Sequence, residues 1–382
     1  MTNLLAALLL CLSQDEIKVD ADFPGGNIIV DKIDGSTVSV QQDLRDTAGE
    51  WFYWQFRVRG AQGRPVTFQF SKQVIGVLGP AFSLDQGDSW TWLGKESVKG
   101  NSFKYSFPAD AKDVRFCVSI PYQDKDLKKF LARHESTPTL KVVTHCETKK
   151  GRTVERLHLG RLDGGATTRL ILTARHHSCE MIASYVMEGL LEEALGDAWY
   201  REKVEIAAVP FMDKDGVEDG DQGKNRKPRD HNRDYSGDSL YASTKAMREF
   251  APKWSDGKLK LAMDLHCPTL RGPSNETSYF VGNENETSWA KIARLSELFE
   301  AGQTTPGLYR AKDNMPYGTG WNKASNFSQG LSFGRWALDL PGSPAGTTLE
   351  VSYANSNGVT ITAATARSLG RDLARAIRKL LE

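Results

Sequence analysis

A strand-like run, Arg169-Leu170-Ile171-Leu172-Thr173, is followed after a short gap by an apolar-periodic stretch from Met181 to Leu195. The first is short and aliphatic, as in a buried strand; the second has the length and spacing of a helix. A strand that feeds directly into a helix commits this part of the chain to an α/β layering, in which helices cover a largely parallel sheet. The same alternation extends from about Gln123 to the end. Asp126 to Arg133 reads as a short helix, Ile206 to Val209 and Leu259 to Leu265 as strands, and Thr362 to Leu381 as an amphipathic helix with Leu369, Leu373, Ala376, Ile377 and Leu380 on one face.

The junction between that strand and helix carries His177-Ser178-Cys179-Glu180. Side chains at i and i+3 share a helical face, so His177 and Glu180 can aim at one centre. Imidazole and carboxylate both suit zinc, and two such ligands with one distant histidine leave a position for water. His266, at the end of the Leu259–Leu265 run, is the distant candidate. His176, four residues before Glu180, is the second choice for the first ligand. Cys179 and Cys267 flank the proposed ligands, so thiolate ligation is a rival arrangement.

Asp213 to Tyr235, rich in Gly, Asp and Asn, reads as a loop. It brings Arg226, Asn232 and Arg233. A planar guanidinium matches the two oxygens of a carboxylate. Glu350 lies in the β-rich run Gly346 to Tyr353, where a carboxylate fits best at the strand's C-terminal end as a general base.

The ordered set His177-x-x-Glu180, Asp215-Gly216-Val217 with Arg226, Asn232-Arg233, His266 and Glu350 resembles the zinc carboxypeptidase family, and within it the cytosolic-carboxypeptidase-like (deglutamylase-like) subfamily. Ala21 to Asn27, Trp51 to Trp54, Pro121-Tyr122 and Cys146 to Thr148 resemble the amino-terminal part of that subfamily. The resemblance implies one zinc ion held by His177, Glu180 and His266. It implies Glu350 as the base that activates water and later as proton donor. Arg226 would polarise the scissile carbonyl, and Asn232 and Arg233 would grip the C-terminal carboxylate of a peptide or protein substrate. Arg335, fifteen residues before Glu350, would favour an acidic terminal side chain. Secreted members place a tyrosine shortly before the base. Here the aligned stretch is Asn326-Phe327-Ser328-Gln329-Gly330, without one, and Tyr317 is nearby in sequence. An alternative on the same residues is a zinc amidohydrolase that deacylates N-acyl amino acids.

From about Val19 to Tyr122 the chain alternates short apolar runs with turn residues, which suggests a β-sandwich. The expected organisation is a possible signal peptide over 1–16, a β-sandwich over 17–122 and a zinc carboxypeptidase-like catalytic domain over 123–382. A net charge of +1, with a quarter of the residues charged, argues against nucleic-acid binding through a basic face. Five scattered cysteines, an odd number, argue for free thiols. Leu4 to Leu12 is too short to span a bilayer but has signal-peptide length, which favours a secreted or periplasmic protein over a cytoplasmic one.

Overall fold

The computed structural model describes residues 16–382 apart from Ser343. Leu4–Leu12 and Cys11 lie outside the described residues. The N-terminal third forms two five-stranded sheets. One has the order Lys18–Asp20, Gln55–Arg59, Val114–Cys117, Ala81–Ser83, Thr91–Trp92; the other runs Ile29–Asp34, Thr37–Gln41, Pro65–Phe70, Ser102–Ser106, Val98–Lys99. Period-two alternation turns an aromatic set inward from both sheets. Phe68 stacks on Phe103 (4.9 Å), Phe103 meets Phe116 (5.2 Å) and Trp54 meets Phe70 (4.7 Å). All are fully buried.

The remainder is built on a seven-stranded mixed sheet in the order Leu140–Glu147, Thr153–Gly160, Val204–Val209, Thr168–Ala174, Leu259–His266, Ala345–Glu350, Tyr279–Val281. The three central pairings are parallel and the outer ones antiparallel. The parallel strands are buried over nearly their whole length, which explains their continuous aliphatic runs. The first strand of the order, Leu140–Glu147, is an edge and mostly exposed. Asp213 to Tyr235 differs from the loop expected of it. It opens with a helix, Lys214–Asp219, because Asp213 accepts from the N–H of Gly216 at the N-cap and Gly220 closes the turn with φ 76°.

Helices Met181–Gly196 and Ala363–Leu381 pack against each other beside the sheet. Their approach is set by two glycines. A Cβ on Gly370 would lie 2.0 Å from the carbonyl oxygen of Val186, and one on Gly189 would lie 2.0 Å from that of Arg367. Backbone cannot yield as a side-chain tip can. Gly370→Ala is therefore expected to cost on the order of 3 kcal/mol, read as a lowered midpoint in denaturant unfolding. An unchanged midpoint would contradict this packing.

Candidate metal centre and its cavity

The parallel strands deliver the site. Thr168–Ala174 ends at Arg175, a buried residue held in the left-handed region (φ 60°). Its guanidinium donates to the carbonyls of Tyr122 (2.8 Å) and Ser178 (3.0 Å) and to Ser184 Oγ (3.1 Å). That clamp fixes the turn carrying His176 to Glu180 ahead of the helix. The neighbouring strands end in register, with His266 opposite Glu350. The usual binding crevice of such sheets, outside the carboxyl ends of the strands, thus collects His177, Glu180, His266 and Glu350.

His177, Glu180 and His266 offer ligand atoms that all lie within 4.8 Å of one another. Glu180 Oε1 accepts from His177 Nδ1 at 2.9 Å, and its Oε2 lies 2.7 Å from His266 Nδ1. Glu180 is fully buried, and Oε2 accepts no hydrogen bond. A buried carboxylate whose two oxygens each face an imidazole nitrogen, one of them without a hydrogen bond, is the donor set a divalent ion requires. Burial alone would raise the Glu180 pKa, but Lys224 and the two histidines pull it well below the usual carboxylate range.

Each imidazole is oriented from behind. His177 Nε2 lies 3.1 Å from both oxygens of Asp230, and His266 Nε2 lies 2.5 Å from Asp264 Oδ2. A second cluster, His176, Asp264 and His266, is equally close. There, however, Asp264 Oδ1 accepts from Thr173 Oγ1 (2.8 Å) and faces His176 Nδ1 (2.9 Å), while His176 Nε2 meets the Tyr235 hydroxyl (2.7 Å). His176 is thus spent on hydrogen bonds behind His266, which separates it from His177. Neither cysteine belongs to a ligand cluster. Burial pushes the Cys179 thiol up to about 12, away from the thiolate a metal needs.

Glu350 is buried, with Oε2 unpartnered. Burial raises its pKa, and although His266 and Lys224 oppose this, the net shift is upward. That suits a proton acceptor working near neutrality.

No family model matches the chain. It is 25% identical to cytosolic carboxypeptidase 2 of Xenopus tropicalis over 223 residues, which is 49% of this chain and 23% of that protein. It is 23% identical to cytosolic carboxypeptidase 6 of Caenorhabditis elegans over 321 residues, covering 75% of this chain and 69% of the other. The chain thus spans about a quarter of the first relative and about two thirds of the second. A metallo-carboxypeptidase from Burkholderia cenocepacia superposes with a TM-score of 0.78 at 19% identity, covering 96% of this chain and 98% of the other. One from Pseudomonas aeruginosa, solved with (2-guanidinoethylmercapto)succinic acid, gives 0.71 at 22%, covering 95% and 99%. The chain has the metallo-carboxypeptidase fold and is similar in sequence to cytosolic carboxypeptidases. Because that fold match covers almost the whole chain, it includes the N-terminal sheets as well as the central one.

In this carboxypeptidase fold the candidate metal-binding histidines, His177 and His266, line a cavity of about 580 Å³. His177, His266, Asn232, Arg233, Arg335 and Glu350 all line it. Asn232 Oδ1 accepts from the N–H of Phe333 (2.9 Å). Its amide nitrogen lies 3.1 Å from His266 Nε2, a nitrogen already committed to Asp264, so the amide keeps donors for a ligand. Arg233 donates to the carbonyls of Asn326 (3.0 Å) and Asn232 (2.7 Å) and makes no ion pair among the described residues. Arg335 stacks on Phe327 (3.7 Å) and lies over Tyr317 (5.0 Å), with Glu284 Oε2 2.6 Å from Nη2. Tyr317, nearby in sequence to the aligned stretch, does not line the cavity but lies against Arg335.

The structure does not bring Arg226 to this cavity. Its guanidinium binds Asp213 and Asp221 (2.8 Å to the latter) behind the loop, with Asp46 at 3.7 Å. Those carboxylates hold both terminal nitrogens and Arg226 does not line the cavity, so the expected role at the scissile carbonyl does not follow from its position. The cation that does line the cavity is Lys224, two residues earlier and absent from the sequence reading. Its Nζ lies 2.5 Å from Glu180 Oε1 and donates to the Cys267 carbonyl at 2.9 Å. No signal within the segment separates the two, because Asp213 and Asp221 stand there among several other acidic residues.

Zinc titrated into the metal-free protein is expected to raise the melting temperature in a saturable way, and His266→Ala to abolish the rise. A full shift in that variant would remove His266 from the ligand set.

Proposed function

We propose that this chain is a zinc-dependent metallocarboxypeptidase that hydrolyses the C-terminal peptide bond of a peptide or protein. The observation carrying this reading is the convergence, in one cavity, of the His177–Glu180–His266 cluster, Glu350 on the adjoining strand end, and two arginines with asparagine a short way across. His177, Glu180 and His266 would hold one zinc ion, which supplies Lewis acidity and makes water acidic enough to attack at neutral pH. Glu350 takes the proton of the attacking water and passes it to the departing amine. Arg233, a half-buried cation with no ion pair among the described residues, and Asn232 receive the terminal carboxylate. A carboxylate fixed there sets the last peptide bond, and no internal one, against Glu350.

Arg335 selects the terminal side chain. Its guanidinium is held flat by Phe327 and Tyr317 and is already matched with one carboxylate, that of Glu284 at the rim. A terminal Glu or Asp side chain exchanges with Glu284 at no net cost in charge, whereas a lysine side chain would leave a cation facing a cation. This supports an acidic preference.

The curated relatives are named as cytosolic, and the four cysteines among the described residues are free thiols, as in a reducing compartment. Both favour a cytoplasmic location over the export expected from Leu4–Leu12. No helix among the described residues is long and apolar enough to cross a membrane.

Two measurements test the reading. Glu350→Gln should bind zinc as the parent does and lose kcat by about three orders of magnitude or more, followed by release of C-terminal amino acids. Arg335→Ala should lose its preference for Glu- over Lys-terminated peptides; an unchanged ratio would remove the acidic specificity while leaving the hydrolase.

A further inference from the structure

We propose that Lys224, and not Arg226, is the catalytic cation that meets the oxyanion developing on the scissile carbonyl, and that the N-terminal sandwich holds it there. The inference rests on the carboxypeptidase reading above.

The ammonium of Lys224 is buried and lines the cavity. Two of its three N–H donors go to Glu180 Oε1 and the Cys267 carbonyl. That leaves one donor for a ligand. Cys267 follows His266 directly, so this second anchor ties Lys224 to the strand end that carries a proposed metal ligand. The indole of Trp51 lies 5.3 Å from Nζ and also lines the cavity. A cation fixed between a carboxylate, a carbonyl and an aromatic face cannot swing away as the surface lysine of a basic loop would.

What fixes the loop comes from the other half of the molecule. Asp46 accepts from the N–H groups of Gln222 (3.0 Å) and Gly223 (2.9 Å), and Thr47 Oγ1 donates to the carbonyl of Lys224 itself (2.6 Å). The N–H of Ala48 donates to the Asn225 carbonyl (3.1 Å). The side chain of Gln222 accepts from the Tyr53 N–H (2.7 Å) and donates to the Tyr53 carbonyl (2.8 Å). On its other side the loop lies against the metal-site turn, where Ser178 Oγ donates to the Asp221 carbonyl (2.8 Å). Gly223, with φ 74°, is so close that a Cβ would fall 2.3 Å from Ser178 N. The loop is thus held between residues 46–53 and the His177–Glu180 turn. Asp46 and Thr47 are positioning residues for Lys224.

A developing oxyanion is stabilised by donors fixed before the reaction begins, and losing one such donor typically costs about 100- to 1000-fold in kcat. The test uses the full chain loaded with zinc and a phosphinic pseudo-peptide, whose tetrahedral centre carries the oxyanion's charge. Lys224→Met should bind it about 100-fold more weakly by calorimetry and lose kcat by a similar factor, with KM little changed. Zinc affinity, read by chelator competition, should stay within about threefold of the parent. Lys224→Arg should recover part of both losses, and Asp46→Ala should show a smaller loss of the same kind. Should Lys224→Met misfold, Lys224→Gln gives the same comparison. Parent-like phosphinate binding and kcat in a folded variant would overturn the proposal; so would loss of zinc affinity as the main effect, since Lys224 would then serve only Glu180. A parent protein that neither binds zinc nor releases C-terminal residues would instead defeat the carboxypeptidase reading.

Discussion

One buried carboxylate organises this molecule. Glu180 has no exposed surface, and an uncompensated charge in such a place would cost several kcal/mol. Compensation comes from His177, His266 and Lys224, which lie on three separate segments: the junction after one strand, the end of the next, and a loop. Satisfying one charge therefore draws three distant parts of the chain to one point. The pattern continues outward. Asp230 stands behind His177, Asp264 behind His266, then His176 and the Tyr235 hydroxyl. Each polar group is matched by the next, so the rings cannot rotate without breaking a series of bonds.

The sheet supplies the distances this arrangement needs. Neighbouring parallel strands sit about 5 Å apart, so side chains at paired positions of their ends are near neighbours. His266 and Glu350 occupy one such paired position. The residues meant to hold an ion and to move a proton thereby acquire a separation fixed by backbone hydrogen bonding, not by loop conformation.

Much of this was legible from residue order, for identifiable reasons. The Thr168–Ala174 strand and the helices Met181–Gly196 and Ala363–Leu381 announce themselves because buried elements need uninterrupted or periodic apolar residues. The grouping of His177 and Glu180 was legible because His-x-x-Glu sits where a strand turns into a helix. The Leu140–Glu147 strand was missed since an edge strand with a single buried residue has no alternation to show. Helix Ala242–Ser255 was missed as well; it contains Pro252 and an exposed polar face. The Lys224/Arg226 distinction was out of reach for a different reason. In Gly223-Lys224-Asn225-Arg226 either cation could face inward. The choice is made by Asp46, far away in sequence, together with Asp213 and Asp221.

The wall around Arg335 has a different character from the floor beneath it. The side chains of the candidate metal cluster sit on or beside strand ends, while Tyr317 and Phe327 ride on the stretch between helices Glu286–Ala301 and Phe333–Trp336, which holds only short 3₁₀ turns. Irregular segments tolerate exchange and length change far better than a central sheet does. Under the proposed function, chemistry and taste are built from separable materials: descendants of such a chain can revise which terminal residue they accept by redrafting one surface stretch, while the hydrolytic apparatus beneath is inherited untouched.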